Sequence, residues 1–405
     1  MIPYASYFYF GIAALVSAIP LLWMNLWRGS MRFWILTVSA VMLVIQYGGA
    51  MPAADSHISE LGWLAIYGGL ECFVAVLFLQ SRKRSDSRWI FATSIALAVG
   101  PLVLSRIFGH LNHPLGFAGV SYAVFRSIDL LVGIQDGKVR SLGLGEFFAY
   151  LFFFPTVSSG PIDRFARFQK DYAAVRTREQ FFADLDVAVH QIFTGFLYKY
   201  IVAHYLNKLV LGALLDHAGV WRPVVYFYGY ALYLFFDFAG YSAFAVGVSY
   251  LLGIRTPVNF NKPFLAKNIR DFWNRWHMSL SAWFRDHIYM RFVMGMMKWG
   301  RIKNAQTISA LGLLLSFGLM GVWHGTKWHY IVYGFYQAGL MIGYEQWTAY
   351  KKRRKWTRTR RWTDALSVVL TFHCVCLGFL IFAGGVPVQP VAVHHPAAGS
   401  SRSNR

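Results

Sequence analysis

Apolar runs of about 17 to 30 residues recur from one end of this chain to the other, each long enough to cross a bilayer as an α-helix. Only 14% of the 405 residues are charged and 56% are hydrophobic, whereas about a quarter of a soluble domain is charged. This composition excludes the soluble classes. The chain is predicted to be an all-α polytopic membrane protein with about ten full crossings.

The charges between the apolar runs predict the orientation in the membrane. Arg28 and Arg32 follow the first apolar run, and a basic cluster follows the third. The loop between the second and third runs has only Asp55 and Glu60 as charged residues. Cytoplasmic loops retain Lys and Arg, so this alternation predicts an extracellular N-terminus. The rule explains most of the net charge of +21, and the remainder could attract an acidic partner or anionic lipid. The first run lacks a basic leader, which is typical of a retained span.

We predict one integral-membrane domain, residues 1–383, and a disordered tail, residues 384–405. No internal repeat is visible, and the tail has no acidic residue and no apolar periodicity. The three cysteines lie in apolar segments, which favours free thiols over a disulfide. The sequence has no phosphate-binding loop, no serine nucleophile elbow and no helical two-histidine metal motif. We therefore expect no metal site and no bound cofactor.

Residues 152–168, FFFPTVSSGPIDRFARF, cannot form an uninterrupted helix because they contain two prolines and a Ser-Ser-Gly turn. Apolar residues 146–160 lie between basic loops, which predicts a re-entrant element whose backbone must be covered by protein. A loop with a local Asp163–Arg164 ion pair would explain the segment without any function. Nearby, Arg126 and Asp129 are three residues apart within a span and could form an internal ion pair or mark a polar path.

Residues 261–291 are predicted to form an amphipathic helix in the membrane interface, with tryptophans at the depth of the head groups. At helical spacing one face would carry polar residues and the opposite face bulky apolar ones. The polar face is Arg270, Asn274, His277, Ser281 and Arg285, and the apolar face is Trp273, Trp276, Leu280, Trp283 and Ile288. On spacing alone, an anchoring role accounts for His277 better than catalysis does.

The hexapeptide MGVWHG, residues 320–325, ends one apolar run a few residues before the next begins. An ionisable residue at such a position is expensive and is therefore a functional candidate. Histidine titrates near neutrality, so His324 could accept a proton and return it. Gly321 and Gly325 would leave room for a close approach. A histidine that caps a helix hairpin by bonding to a carbonyl explains the pattern equally well.

Four segments together resemble the membrane-bound O-acyltransferase (MBOAT) family. They are FFFPTVSSGPIDRFARF, DFAGYSAFAVGVSYLLGI, NFNKPFLAKNIRDFWNRWHMSLSAWFRDHIYMR and MGVWHGTKWHYIVYGFYQ, in this order between residues 152 and 341. The GPIDR form, the DFAGYS segment and the short chain are more similar to the D-alanine-transferring branch than to the alginate O-acetyltransferase branch. The resemblance implies a ring of about ten to eleven transmembrane helices, with re-entrant and in-plane helices, around a central tunnel and funnel. It fades after Phe382.

The resemblance also implies a site and partners. The family's two marked histidines correspond to His324, on which the active site would centre, and His277, which would orient the thioester or hold a proton. The donor would be D-alanine on the phosphopantetheine thioester of a small acidic cytoplasmic carrier protein, DltC. The eventual acceptor would be lipoteichoic acid outside a Gram-positive cell membrane, with DltD and the peptide DltX as further partners. Candidates for lining the substrate path are Trp323, Trp276, Asn274, Ser281, Arg285, Asp237 and Tyr241. Candidates for docking the carrier are Lys298, Arg301 and Lys303, although a plain cytoplasmic loop would carry the same charges.

Two other functions stay open on the sequence alone. One is an exopolysaccharide O-acetyltransferase of the alginate type, which neighbouring genes for polysaccharide assembly would favour. The other is a transporter or flippase, although the paired half-repeats of many transporters are absent from the sequence. The predicted topology also places His324 at an outer hairpin and His277 on an inner helix. The two histidines meet only if both segments dip toward the centre of the membrane.

Overall fold

The computed structural model describes residues 11–12, 31–47, 59–107, 119–356 and 361–386, and within these ranges all regular secondary structure is helical. The predicted all-α membrane fold is confirmed. The helices are α1 (Arg32–Tyr47), α2 (Glu60–Arg84), α3 (Arg88–Ile107), α4 (Val120–Gln135), α5 (Leu144–Leu151), α6 (Phe165–Ala173), α7 (Arg178–Gly195), α8 (Arg222–Leu251), α9 (Ile269–Trp273), α10 (Met278–Phe284), α11 (Met290–Trp299), α12 (Ala305–His324), α13 (Trp328–Arg353) and α14 (Arg361–Ala383). Helix α7 continues through π-helical segments to His217, and another π-helical segment, Arg285–Tyr289, joins α10 to α11.

Five described helices are long and apolar enough to cross a membrane: Leu61–Arg84, Arg88–Ser105, Gly219–Leu251, Ala305–His324 and Trp362–Ala383. Helix α5 has eight residues and is about 12 Å long, too short to cross, which agrees with a segment that does not span. The count of about ten crossings stays a prediction. The first predicted span, the extracellular N-terminus and almost all of the predicted tail lie outside the described residues.

A buried arginine supports the broken segment that follows α5. Arg126 is 1% exposed, and its guanidinium donates to the carbonyl oxygens of Tyr150 at 3.0 Å, Leu151 at 2.9 Å and Thr156 at 2.9 Å. Backbone carbonyls that leave a helix inside a membrane protein need such partners, because no water is present to replace them. Arg126, which belongs to α4, therefore stabilises the irregular backbone of this segment.

Neither of the two ion pairs that the sequence left open forms. Asp129 does not pair with Arg126, because that guanidinium is occupied by carbonyls. Asp129 instead accepts from Arg164 Nη1 at 2.9 Å and from His287 Nε2 at 2.8 Å. Asp163 forms its side-chain ion pair with Arg167 rather than with Arg164. The chain turns after residue 163, so the side chains of adjacent residues diverge toward different partners.

The predicted amphipathic helix over residues 261–291 is also wrong. Helix α9 ends at Trp273, a turn follows, and α10 begins at Met278. The tryptophans are in the protein core rather than among head groups: Trp273, Trp276 and Trp283 are 6%, 5% and 2% exposed. The break changes the direction of α10 relative to α9. Residues that would share one face of a continuous helix therefore point in different directions.

Two glycines let α12 and α13 pack as a tight hairpin. A Cβ atom built on Gly321 would lie 2.5 Å from the carbonyl oxygen of Tyr330, and one on Gly334 would overlap the carbonyl oxygen of Phe317. Small residues at helix crossings allow backbones to approach in this way. The room that the sequence predicted beside Gly321 is therefore filled by the neighbouring helix.

We expect Gly334→Ala to lower the free energy of unfolding by about 1–3 kcal/mol, because an added methyl must push the two helices apart. Gly339→Ala in the same helix is the matched control, since a Cβ there meets nothing within 4 Å. Thermal unfolding in detergent should show a lower midpoint for the first variant only. Equal unfolding midpoints for the two variants would mean that the hairpin accommodates the added methyl group without losing stability.

Candidate functional site

The two histidines line one cavity. It measures about 100 Å³ and lies between α8, the turn before α10, and the ends of α12, α13 and α14. Its walls are Leu234, Phe238, Trp273, Trp276, His277, Leu280, Met320, His324, Tyr333, Phe379 and Phe382. The sequence placed the segments of His277 and His324 at different depths of the membrane, but in the structure both segments reach the same cavity.

His277 is held in a strained turn. Its φ of 41° and ψ of 53° lie in the left-handed region, which non-glycine residues rarely adopt, although histidine does so more often than most. The connection before α9 fixes this turn from outside. Asn259 accepts the Met278 N–H on its carbonyl oxygen at 2.9 Å, and Asn261 donates to the carbonyl of Arg275 at 2.9 Å. Strain of this kind persists only where the surroundings enforce it, and it is frequent at active sites.

The His277 ring is buried and neutral. It is 4% exposed, and burial, followed by the nearby His324, lowers the pKa of His277 to about 3. Its Nδ1 lies 3.4 Å from Asn259 Oδ1, and Phe238 packs edge-on at 4.8 Å between ring centroids. In the tautomer with the proton on Nδ1, the ring donates to this amide oxygen and Nε2 keeps its lone pair.

His324 is the last residue of α12 and is half-buried. Helix α12 begins at the Asn304 side chain, which accepts from the N–H of Gln306 at 2.9 Å, and it runs about 30 Å to the cavity. Its ring packs against Trp323 at 4.6 Å and against Phe382 at 5.0 Å between ring centroids. The two rings therefore differ in burial, since His277 is enclosed and His324 is half-buried.

A second cavity, of about 570 Å³, adjoins the first. Trp273 and Met320 line both cavities and therefore lie between them. One part of the wall is charged, with Arg270 bonded to Glu345 at 2.7 Å. Ser316 lines the second cavity, and its buried Oγ has no hydrogen-bond partner among the described residues. The histidine cavity thus adjoins a larger cavity whose wall is partly charged and partly apolar.

Four of the seven predicted path residues lie on these walls: Asn274, Ser281 and Arg285 line the second cavity, and Trp276 lines the first. The other three do not line either one. Trp323 packs on Phe125 with 5.2 Å between ring centroids, Asp237 pairs with Lys199 at 2.5 Å, and Tyr241 shares a hydrogen bond of 2.6 Å with Ser158.

The sequence did not single out Asn259, Ser316 or Tyr333. Asn259 is 18 residues before His277, and no spacing rule joins the two. Ser316 and Tyr333 belong to apolar helices whose periodicity predicts packing only. The hydroxyl of Ser316 inside an apolar run was the one signal that pointed to it.

The three candidate docking residues are exposed. Lys298 lies in the last turn of α11, and Arg301 stacks over the Trp299 ring at 4.9 Å. The same helix exposes 56% of Met294 and 62% of Met297. An exposed apolar stripe beside three cations is a surface suited to an acidic protein partner.

Cys72, Cys374 and Cys376 are free, as predicted. In the described ranges no group of three or more His, Cys, Asp or Glu side chains could hold a metal ion.

Comparison with known proteins gives a consistent result. The family model described as MBOAT, membrane-bound O-acyltransferase family, matches residues 74–384. A teichoic acid D-alanyltransferase of Bacillus subtilis is 39% identical over 98% of this chain and 100% of the relative. A protein of the same name from Streptococcus thermophilus is 37% identical over 94% of this chain and 95% of the relative. A probable alginate O-acetylase of Pseudomonas aeruginosa is 29% identical over 67% of this chain and 49% of the relative.

Proposed function

We propose that this chain, which belongs to the membrane-bound O-acyltransferase family, transfers D-alanine from a carrier-protein thioester across the membrane for the esterification of lipoteichoic acid. Membership of the family makes it an acyltransferase. The D-alanyltransferase relatives match nearly the whole chain, whereas the alginate O-acetylase matches two thirds of it at lower identity. The observation that carries the proposal is the shared cavity of His277 and His324, which adjoins a larger cavity with a partly charged wall.

The second cavity suits the phosphopantetheine arm of the carrier DltC. Arg270 and Arg285 on its wall would pair with the phosphate, which guanidinium groups bind well. The unpartnered hydroxyl of Ser316 would bond to an amide of the arm. The thioester would then pass between Trp273 and Met320 to reach the histidines. Such a passage admits a thin chain and keeps the folded carrier outside.

The chemistry requires one general base. His324 would take the proton from the attacking hydroxyl while its oxygen bonds to the thioester carbonyl carbon. As the carbon–sulfur bond breaks, the same ring would return the proton to the leaving thiolate, so that atoms and charges balance. General-base assistance is typically worth about 10²- to 10⁴-fold in rate. The neutral His277, held by Asn259, would orient the thioester or accept a hydrogen bond.

The lining of the first cavity supports a water-sensitive reaction. Apart from the histidines, its walls are aromatic, aliphatic or thioether side chains together with the Tyr333 ring. A site of this kind excludes water, which limits hydrolysis of the thioester and strengthens the electrostatic contacts that remain. On the outer side, DltD and the peptide DltX would assist delivery to lipoteichoic acid.

Carrier docking gives a direct prediction. Replacing Lys298, Arg301 and Lys303 together by glutamine should weaken binding of the acidic carrier about tenfold and flatten its dependence on salt, because three exposed cations are lost. Binding would be measured by surface plasmon resonance at two ionic strengths. The matched control replaces Lys351, Lys352 and Arg353, a basic block at the end of α13 that we assign to lipid head groups. Equal weakening by both sets would remove the assignment of a specific docking surface.

The proposed function is tested with the purified protein, the carrier charged with D-alanine, and the carrier charged with acetate. We expect loss of the D-alanyl thioester and little loss of the acetyl thioester. The opposite preference would favour the exopolysaccharide O-acetyltransferase. Movement of a substrate across proteoliposomes without any acyl donor would favour the transporter.

A further inference from the structure

A third cavity, of about 430 Å³, shares Asn259 with the histidine site. Helix α7, helix α8 and the connection between α8 and α9 form its walls. Among the described residues that line it, none is acidic, and Lys262 is the single lysine or arginine. The lining therefore favours a neutral or anionic occupant over a cation.

Two buried hydrogen-bond donors in this wall lack partners. Ser242 is 3% exposed and Asn259 is 1% exposed, and Ser242 Oγ and Asn259 Nδ2 have no partner among the described residues. The amide orientation of Asn259 is set by Ser279, whose N–H and hydroxyl both donate to Oδ1, the latter at 2.6 Å. Buried donors of this kind are normally satisfied. An occupant that supplies acceptor oxygens would complete them.

The cavity borders an exposed apolar surface. On α7, Val189 is 44% and Phe193 is 70% exposed, and Leu197 in the π-helical extension is 47% exposed. Neighbouring positions of the same helix line the cavity. Leu265, which lines it as well, is 60% exposed. The wall also includes the rings of Phe235, Phe236 and Phe264.

We propose that this cavity binds the phosphodiester head group of an anionic phospholipid, with part of an acyl chain on the aromatic wall. Lys262 would pair with the phosphate, and Ser242 and Asn259 would donate to its oxygens, a combination of charge and fixed donors that a cationic ligand would not satisfy. The apolar border selects a lipid over a soluble phosphate.

The test is native mass spectrometry of the delipidated full-length protein, titrated with phosphatidylglycerol, phosphatidylcholine and inorganic phosphate. The wild-type protein should bind one phosphatidylglycerol about tenfold more tightly than phosphatidylcholine, and inorganic phosphate at millimolar concentration should not displace it. The double variant Lys262→Gln/Ser242→Ala should lose about tenfold in affinity for phosphatidylglycerol. Lys83→Gln, an exposed cation elsewhere, should leave the affinity unchanged.

Wild-type affinity in the double variant, or equal affinity of the wild type for the two lipids, would overturn the proposal. Displacement by inorganic phosphate would assign the site to free phosphate and overturn it as well. Lys262→Gln alone changes an exposed side chain, so it provides a second variant in case the double one does not fold. The assay involves no thioester, so its failure would leave the proposed acyl transfer intact.

Discussion

Replacing His324 by alanine should lower D-alanyl transfer by about 10²- to 10⁴-fold, the usual contribution of a general base. The side chain is half-buried at the end of α12, so its removal should not prevent insertion or folding. The measurement is loss of the thioester from the D-alanyl carrier with purified protein, together with ester formation in cells.

His217→Ala is the matched control for this experiment. His217 is exposed at the end of the α7 extension and lines neither of the two adjoining cavities. It should retain full activity at the same expression level. Wild-type ester levels in the His324 variant would remove the catalytic role of that ring.

Filling the second cavity should stop the reaction as effectively as removing the base. Ser316→Phe places a ring in a space of about 570 Å³, where it would obstruct the proposed path of the pantetheine arm beside Met320. Displacing a reacting group by about 1 Å can cost on the order of 10²-fold, so we expect at least that loss in thioester consumption. The cavity has room for the ring, and the protein should fold.

Ser316→Ala separates obstruction from the loss of the hydroxyl. It removes an oxygen that has no partner among the described residues, so the apo protein should be as stable as the wild type. Its rate should fall far less than that of the phenylalanine variant. If Ser316→Phe consumed the thioester at the wild-type rate, the second cavity would not be the donor path.

Helix positions could be predicted well where a segment crosses the membrane. The apolar runs 307–322 and 328–347 became α12, Ala305–His324, and α13, Trp328–Arg353. An apolar run of spanning length has little choice, because every backbone group must be satisfied within the helix. The hairpin that carries His324 was therefore evident from hydropathy.

Residues 261–291 show why the remainder of the site could not be predicted. Helical spacing put His277 on a polar face with Arg270 and Ser281, but the chain turns at residues 274–277. The turn is held by hydrogen bonds to Asn259 and Asn261 in the preceding connection. Periodicity reports only spacing within a segment, so it cannot register a constraint from another one.

The sequence by itself determined that this is a helical membrane protein, which family it resembles, and that His277 and His324 are the candidate catalytic residues. Length, hydropathy and motif residues are local properties, so they can be read without the fold. Only the tertiary structure decided that both imidazoles line one cavity, that a second cavity adjoins it at Trp273 and Met320, and that Arg126 donates to carbonyls rather than to Asp129. Each of these outcomes depends on side chains that are distant in the chain and become neighbours only when the helices pack.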